Sequence, residues 1–281
     1  VLELVEKYSA YGFSAPDSIS AGEPISTTWN GPSAKGDLIF ISKKDMGENL
    51  YKLSNNYKAS EGSPATLIAP AIPGDYEIRY FSKINGSVLF RRDLEVTDAD
   101  VTITAPVEPK AGSEFTIEWQ GPNAPNDLIF VTNPDMDPNK YYLSNELVHK
   151  ADTGRPASLV APVEPGNYEI RYFSYANGHV LYRQPIKIAP HGASIDAPRV
   201  VTTGTEFEFS WEGPNAKGDF IFVTKPEMKT SSFYIGSDSQ YPTKNGSPGK
   251  LTSPSDPGTY QIRYFSKRNG EMLVKRVLVV R

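Results

Sequence analysis

"PGDYEIRYFS", residues 73–82, returns as "PGNYEIRYFS" at 165–174 and "PGTYQIRYFS" at 257–266. The starts are 165 − 73 = 92 and 257 − 165 = 92 residues apart, the length of one small β-sandwich and longer than a solenoid repeat of roughly 20 to 50 residues. Pro-Gly makes a turn, and the alternation after it is that of a strand: Tyr76, Ile78 and Tyr80 share one face, Glu77, Arg79 and Phe81 the other. A tyrosine just inside a strand after such a turn can bury its ring and return its hydroxyl to nearby backbone. Tyr76, Tyr168 and Tyr260 hold that place.

Outward from this motif the order of signals is the same in each repeat. Ala15-Pro16, Ala105-Pro106 and Ala197-Pro198 precede an alternating segment that ends in Trp29, Trp119 or Trp211. In "EFTIEW", Phe115, Ile117 and Trp119 face one way and Thr116 and Glu118 the other, as in a half-buried strand. A Gly-Pro turn and an apolar run follow, "LIFI", "LIFV" or "FIFV". The stretches 43–62, 133–154 and 225–246 differ most among the repeats and read as loops. After the opening motif, Asn85-Gly86, Asn177-Gly178 and Asn269-Gly270 predict a tight type I′ hairpin into a last strand.

The composition is that of an ordinary globular protein: 281 residues, 38% hydrophobic, 22% charged, net charge −4. Lys+Arg against Asp+Glu is 9 to 11 over residues 12–98, 7 to 11 over 99–190 and 12 to 9 over 191–281. The basic run "KRNGEMLVKR" is a solvated hairpin rather than a phosphate-binding field, and no nucleic-acid partner is expected. With no cysteine there is neither a disulfide framework nor a thiolate metal site. No apolar run of about 18 residues is present to span a membrane.

Tryptophan ending the second strand, the Pro-Gly-x-Tyr corner and the spacing together resemble fibronectin type III or immunoglobulin-like modules. More narrowly, "WxGPNA", "DxIFV" and "PGxYEIRY" are similar to tandem repeats of bacterial envelope or secreted proteins, often found beside von Willebrand factor A domains. The "DxSxS" metal motif of such a domain is absent, and Ile78, Ile170 and Ile262 stand where an immunoglobulin disulfide would place its second cysteine. The resemblance implies an all-β chain of three sandwiches in an extended array, over 11–98, 99–190 and 191–281. "LELVEKYSAYGFSAP" matches the passage between repeats, so residues 1–10 read as the end of a preceding element or an extended first strand, in a piece of a longer protein.

His149, His179 and His191 do not recur between repeats, and no G-x-S-x-G, H-E-x-x-H or phosphate loop appears. The chain is therefore expected to be non-catalytic, without cofactor or metal. Asp37, Asp127 and Asp219 recur before the apolar strand as turn or capping residues; "NPDMDPN" lacks the glycine and glutamate of a calcium loop. Two candidate interaction features remain. One is an outer-face patch of Phe40, Arg79 and Phe81, repeated as Phe130, Arg171 and Phe173 and as Phe222, Arg263 and Phe265. The other is the loop aromatics Tyr51, Tyr57, Tyr141, Tyr142, Phe233, Tyr234 and Tyr241, a place for a glycan. The expected function is a spacer or protein-binding array of a bacterial envelope or secreted protein, in the periplasm, on the cell surface or outside. Its partner would be a protein or a neighbouring domain. The alternatives are carbohydrate binding and an accessory region of a larger enzyme or von Willebrand factor A-type protein.

Overall fold

Strands that alternate on one side and are apolar on both sides of the next must be sandwiched. The computed structural model describes residues 11–47, 56–137, 148–229, 240–267 and 270–281 and shows this arrangement. In the first repeat β1 (Gly12–Ser14), β3 (Pro24–Asn30) and β6 (Ala65–Ile68) form one sheet in the order β1-β3-β6. The other sheet holds β2 (Ser18–Ser20), β4 (Leu38–Lys43), β5 (Asn56–Lys58), β7 (Gly74–Ser82) and β8 (Ser87–Thr97), in the order β2-β8-β7-β4-β5. β2 runs parallel to β8, and the other pairs in this sheet are antiparallel. This is the immunoglobulin and fibronectin arrangement, in which the first strand switches sheets.

The second repeat has β9 (Thr102–Thr104), β10 (Glu114–Gln120) and β13 (Ala157–Val160) in one sheet. Its other sheet is β11 (Leu128–Thr132), β12 (Val148–Lys150), β14 (Gly166–Ser174) and β15 (His179–Ile188). The switched first strand is reduced to a parallel bridge between Lys110 and Ala189. In the third, β16 (Ser194–Asp196), β18 (Glu206–Glu212) and β21 (Gly249–Thr252) face β17 (Val200–Val201), β19 (Phe220–Thr224), β20 (Gln240–Pro242), β22 (Gly258–Ser266) and β23 (Glu271–Val280). The chain divides into two compact units. One is residues 1–105, 116–157 and 169–185; the other is 106–115, 158–168 and 186–281.

The opening motif performs the folding task read from it. Ile39, Ile41, Tyr76, Ile78 and Tyr80 meet Ile25 and Leu67 in the first core. Tyr76 donates its hydroxyl to Ile72 O at 2.8 Å, Tyr168 to Glu164 O at 3.0 Å and Tyr260 to Asp256 O at 3.1 Å. The hairpin after it differs from the type I′ expectation. A bulge between Tyr80 and Phe81 shifts the register so that Ser82 pairs with Ser87. The loop is therefore four residues long; Gly86 has φ +65°, whereas Asn85 keeps a negative φ.

The glycine of W-x-G-P has a steric reason. A methyl at Gly213 would lie 2.2 Å from Tyr264 Cε1, one at Gly121 2.8 Å from Tyr172 Cε2, and one at Gly31 3.3 Å from Tyr80 Cε2. The substitutions Gly213→Ala, Gly121→Ala and Gly31→Ala will therefore destabilise their repeats in that order, from about 3 down to about 1 kcal/mol. Each repeat carries one tryptophan, so urea unfolding of single-tryptophan variants reads the three losses separately. Equal losses would refute the steric account.

Candidate interaction surfaces

The outer face of the β4–β7 sheet is not an exposed patch, and this corrects the expectation from sequence. Phe40 is 1% exposed, Arg79 0%, Phe130 0%, Arg171 0% and Phe173 1%; Phe81, Phe222, Arg263 and Phe265 are also buried. Phe130 and Phe173 pack their rings 6.4 Å apart beside Leu128 and Val148, and Phe220 lies 5.3 Å from Phe265 and 5.5 Å from Phe222. The β11–β14 and β19–β22 sheets thus each carry a second, smaller core on the outer side, and Phe40 and Phe81 are buried on the same side of the first repeat.

The arginines are buried because the start of the variable loop folds onto them. Arg79 donates from Nη1 to Met46 O at 3.0 Å and from Nη2 to Lys43 O at 3.1 Å, while its Nε reaches Glu77 Oε2 at 2.9 Å. Arg171 reaches Pro134 O at 3.0 Å and Glu169 Oε2 at 2.9 Å. Arg263 reaches Met228 O at 2.8 Å and Pro226 O at 3.0 Å, with Gln261 Oε1 in place of the carboxylate. Glu77 was the sequence signal for this: it sits two residues before Arg79, hence on the same face.

Asp37, Asp127 and Asp219 are buried turn residues, each knotted to the tyrosine at the end of the motif. Asp127 Oδ2 accepts from Ala124 N at 3.2 Å and Tyr172 Oη at 3.1 Å, and Oδ1 accepts from Tyr175 N at 3.0 Å. Tyr172 Oη in turn accepts Asn123 N at 2.8 Å. Burial pushes the Asp127 carboxyl up to about 6, against these hydrogen bonds, and pushes Asp219 up as well. The unfolded carboxyl titrates near 4. Between about pH 4 and 6 the folded state keeps a proton that the unfolded chain releases, so stability falls as pH rises through that window. The change has a ceiling of about 3 kcal/mol for Asp127 at 1.4 kcal/mol per pH unit. Thermal midpoints of wild type and Asp127→Asn across pH 4 to 7 should converge on the asparagine variant's flatter profile. Parallel profiles would contradict the assignment.

Among the loop aromatics, Tyr57 donates its hydroxyl to Gly62 O and Tyr241 to Gly246 O, both at 2.8 Å, and both rings pack on their own cores. Tyr51, Tyr141, Tyr142, Phe233 and Tyr234 lie outside the described residues, as do residues 1–10. Among the described residues no group of three His, Cys, Asp or Glu is placed to hold a metal, and no helix is long and apolar enough to cross a membrane.

Sequence reasoning missed the joint between successive repeats. Within the first unit, Gly22 is covered by Leu181 and Pro122: a Cβ there would meet Leu181 Cδ1 at 2.5 Å and Pro122 Cγ at 3.2 Å. Asn177 Nδ2 donates to Ala69 O at 3.0 Å, and Leu181 packs against the first repeat's core. A small cleft of about 220 Å³ beside this contact is lined by Lys43, Met46, Pro70, Ala71, Ile72, Tyr76, Asn177 and His179. Within the second unit the contact recurs, with Pro214 Cβ 3.5 Å from where a Gly112 Cβ would stand. The recurring pair of Gly and Gly-Pro was visible in the sequence; nothing there said that the two meet.

No family model and no curated protein matches the chain. It is similar to solved structures of tandem domains. Dpr2 Ig1–Ig2 in complex with DIP-Theta Ig1–Ig3 is 12% identical over 96% of this chain and 98% of that one, with a TM-score of 0.24. The chicken CNTN1 FN1–FN3 domains are 14% identical over 96% and 98%, with a TM-score of 0.22. The Yersinia pseudotuberculosis adhesin InvE is 14% identical over 64% and 59%, with a TM-score of 0.23.

Proposed function

We propose that this chain is a non-catalytic spacer and interaction array of a bacterial envelope or secreted protein, holding a neighbouring domain or a protein partner at a set distance. The three sandwiches span 11–98, 99–190 and 191–281. The observation that supports this most is the docked joint. A short connection alone would leave successive modules free to move, whereas the Gly22–Pro122–Leu181 contact and the Asn177 to Ala69 hydrogen bond fix the second module on the first. The buried carboxylates and arginines, groups an enzyme would use, are consumed by backbone donors and acceptors. The hydroxyls of Tyr57 and Tyr241 are likewise used internally, which favours the spacer over the glycan reading.

The absence of cysteine makes a direct test simple. Spin labels at Glu61 and Lys150, both exposed and both in the first unit, should give a narrow distance distribution in the wild type. Gly22→Arg should broaden it without unfolding either repeat. A broad wild-type distribution would remove the support for a spacer.

A further inference from the structure

The outer face of the last two strands carries the same four positions in every repeat, and their charges do not balance alike. In the first repeat Glu77 lies across from Asp93 and Arg79 across from Arg91, so two carboxylates meet two cations. Glu77 Oε2 is shared by both arginines, 2.9 Å from Arg79 Nε and 3.5 Å from Arg91 Nη1, and Asp93 takes Lys44 at 3.2 Å. In the second repeat Glu169 serves Arg171 at 2.9 Å and Arg183 at 3.7 Å in the same way, while Pro185 stands in the place of Asp93. In the third both cations remain, Arg263 facing Lys275, but Gln261 and Val277 occupy the carboxylate positions. Like charges directly across a sheet repel, and among the described residues no carboxylate is paired with either. Lys275 is exposed and Arg263 is 4% exposed.

We infer that the third repeat takes this carboxylate from outside: an aspartate or glutamate side chain of a protein partner sits against Lys275 and Gln261, where Glu77 and Glu169 sit in their own repeats. Gln261 Oε1 accepts from Arg263 Nε at 2.9 Å and from Nη2 at 2.8 Å. The oxygen must face the guanidinium, which only donates, so the amide nitrogen keeps its hydrogens for another acceptor. That amide and the Lys275 ammonium offer donors and positive charge together, which is what a carboxylate needs. Val277, 50% exposed and across from Gln261, gives the stem of an acidic side chain an apolar surface to lie on. A phosphate would fit less well, since its sites gather several cations or backbone N–H groups. The loop start that clamps Arg263 adds Lys225 and Lys229, both exposed, against Glu227, and this repeat alone has an excess of cations, 12 Lys+Arg to 9 Asp+Glu. The inference rests on the interaction part of the proposed function, in taking the partner to be a protein, and gives that partner a chemistry. It uses nothing of the joint that supports the spacer part.

A fluorescein-labelled, glutamate-rich peptide is titrated against the full chain at low ionic strength, because salt screens a partly exposed ion pair. Lys275→Gln and Gln261→Glu should each weaken binding about fivefold, as much as one partly exposed charge contact allows. Lys217→Gln, at an exposed lysine elsewhere in the same repeat, lowers the net charge equally and should bind as the wild type does. Without peptide, Gln261→Glu should raise the urea midpoint followed at Trp211 in a chain without Trp29 and Trp119, because it supplies the carboxylate internally; its weaker binding is then no loss of fold. Equal weakening by Lys217→Gln and Lys275→Gln would reduce the contact to net charge and overturn the proposal. So would undiminished binding by Gln261→Glu, no binding by the wild type, or tighter Lys275-dependent binding of a phosphoserine peptide of the same length. The spin-label distances between the first two repeats are independent of these results, so failure of the carboxylate site and failure of the spacer reading are told apart.

Discussion

Asp127→Ala is expected to cost the second sandwich about 3 kcal/mol or more, because one buried carboxylate satisfies three donors at once. Ala124 N, Tyr175 N and Tyr172 Oη all point at it, at 3.0 to 3.2 Å, and an orphaned buried donor costs about 1 to 3 kcal/mol. Each of the three bonds ties a different piece: the Gly-Pro turn before β11, the ring of the β14 tyrosine, and the chain leaving β14. Truncation therefore loosens the turn that also carries Pro122 into the joint. Asp127→Asn keeps one oxygen and the shape, so it loses less, in proportion to the donor it can no longer meet. Urea unfolding followed at Trp119 in a chain without Trp29 and Trp211 reads the loss in this repeat alone. A cost below about 1 kcal/mol would mean that water replaces the carboxylate and that the knot is no structural staple. The same geometry recurs at Asp37 and Asp219, where Lys83 N and Lys267 N take the place of Tyr175 N.

How far the sequence could be read depends on what kind of signal each feature leaves. Strand faces were legible because alternation is a property of consecutive residues: Tyr76, Ile78 and Tyr80 went to the core as expected. The recurrent aspartates were legible as turn residues, since only a fixed local task explains the same residue at the same place three times. The Asn-Gly hairpin was misread because turn type follows from register, and the bulge at Tyr80 that sets the register has no local signature. The outer face was misread for a different reason. "LIFI" is apolar on both sides, which says that both sides are covered but not by what, and arginine is by default a surface residue. The joint left only its halves in the sequence, a glycine and a Gly-Pro about 100 residues apart. Their meeting is a fact of tertiary geometry.

The cost of removing a buried arginine decides what it is for. Arg79→Leu should destabilise the first repeat by about 3 to 5 kcal/mol, the range for breaking a buried pair by deleting one partner. Its side chain is 1% exposed and that of Glu77 9%. The loss takes the guanidinium donors from the Met46 and Lys43 carbonyls and leaves Glu77 with Arg91 at 3.5 Å. If the ion pair supplied the stability, Glu77→Gln would cost nearly as much. If the carbonyls did, that substitution would be mild. The third repeat favours the second answer: Gln261 stands where the others have glutamate, and Arg263 still donates to Met228 O and Pro226 O. Burial holds the Arg263 pKa below its ordinary value without breaking the clamp. The expected ranking is thus Arg79→Leu far above Glu77→Gln, with Arg79→Lys between them, because one ammonium cannot span carbonyls that two guanidinium nitrogens reach. Urea titration at Trp29 measures all three. Equal losses for Arg79→Leu and Glu77→Gln would make the pair, not the loop, the reason that arginine lies on this face.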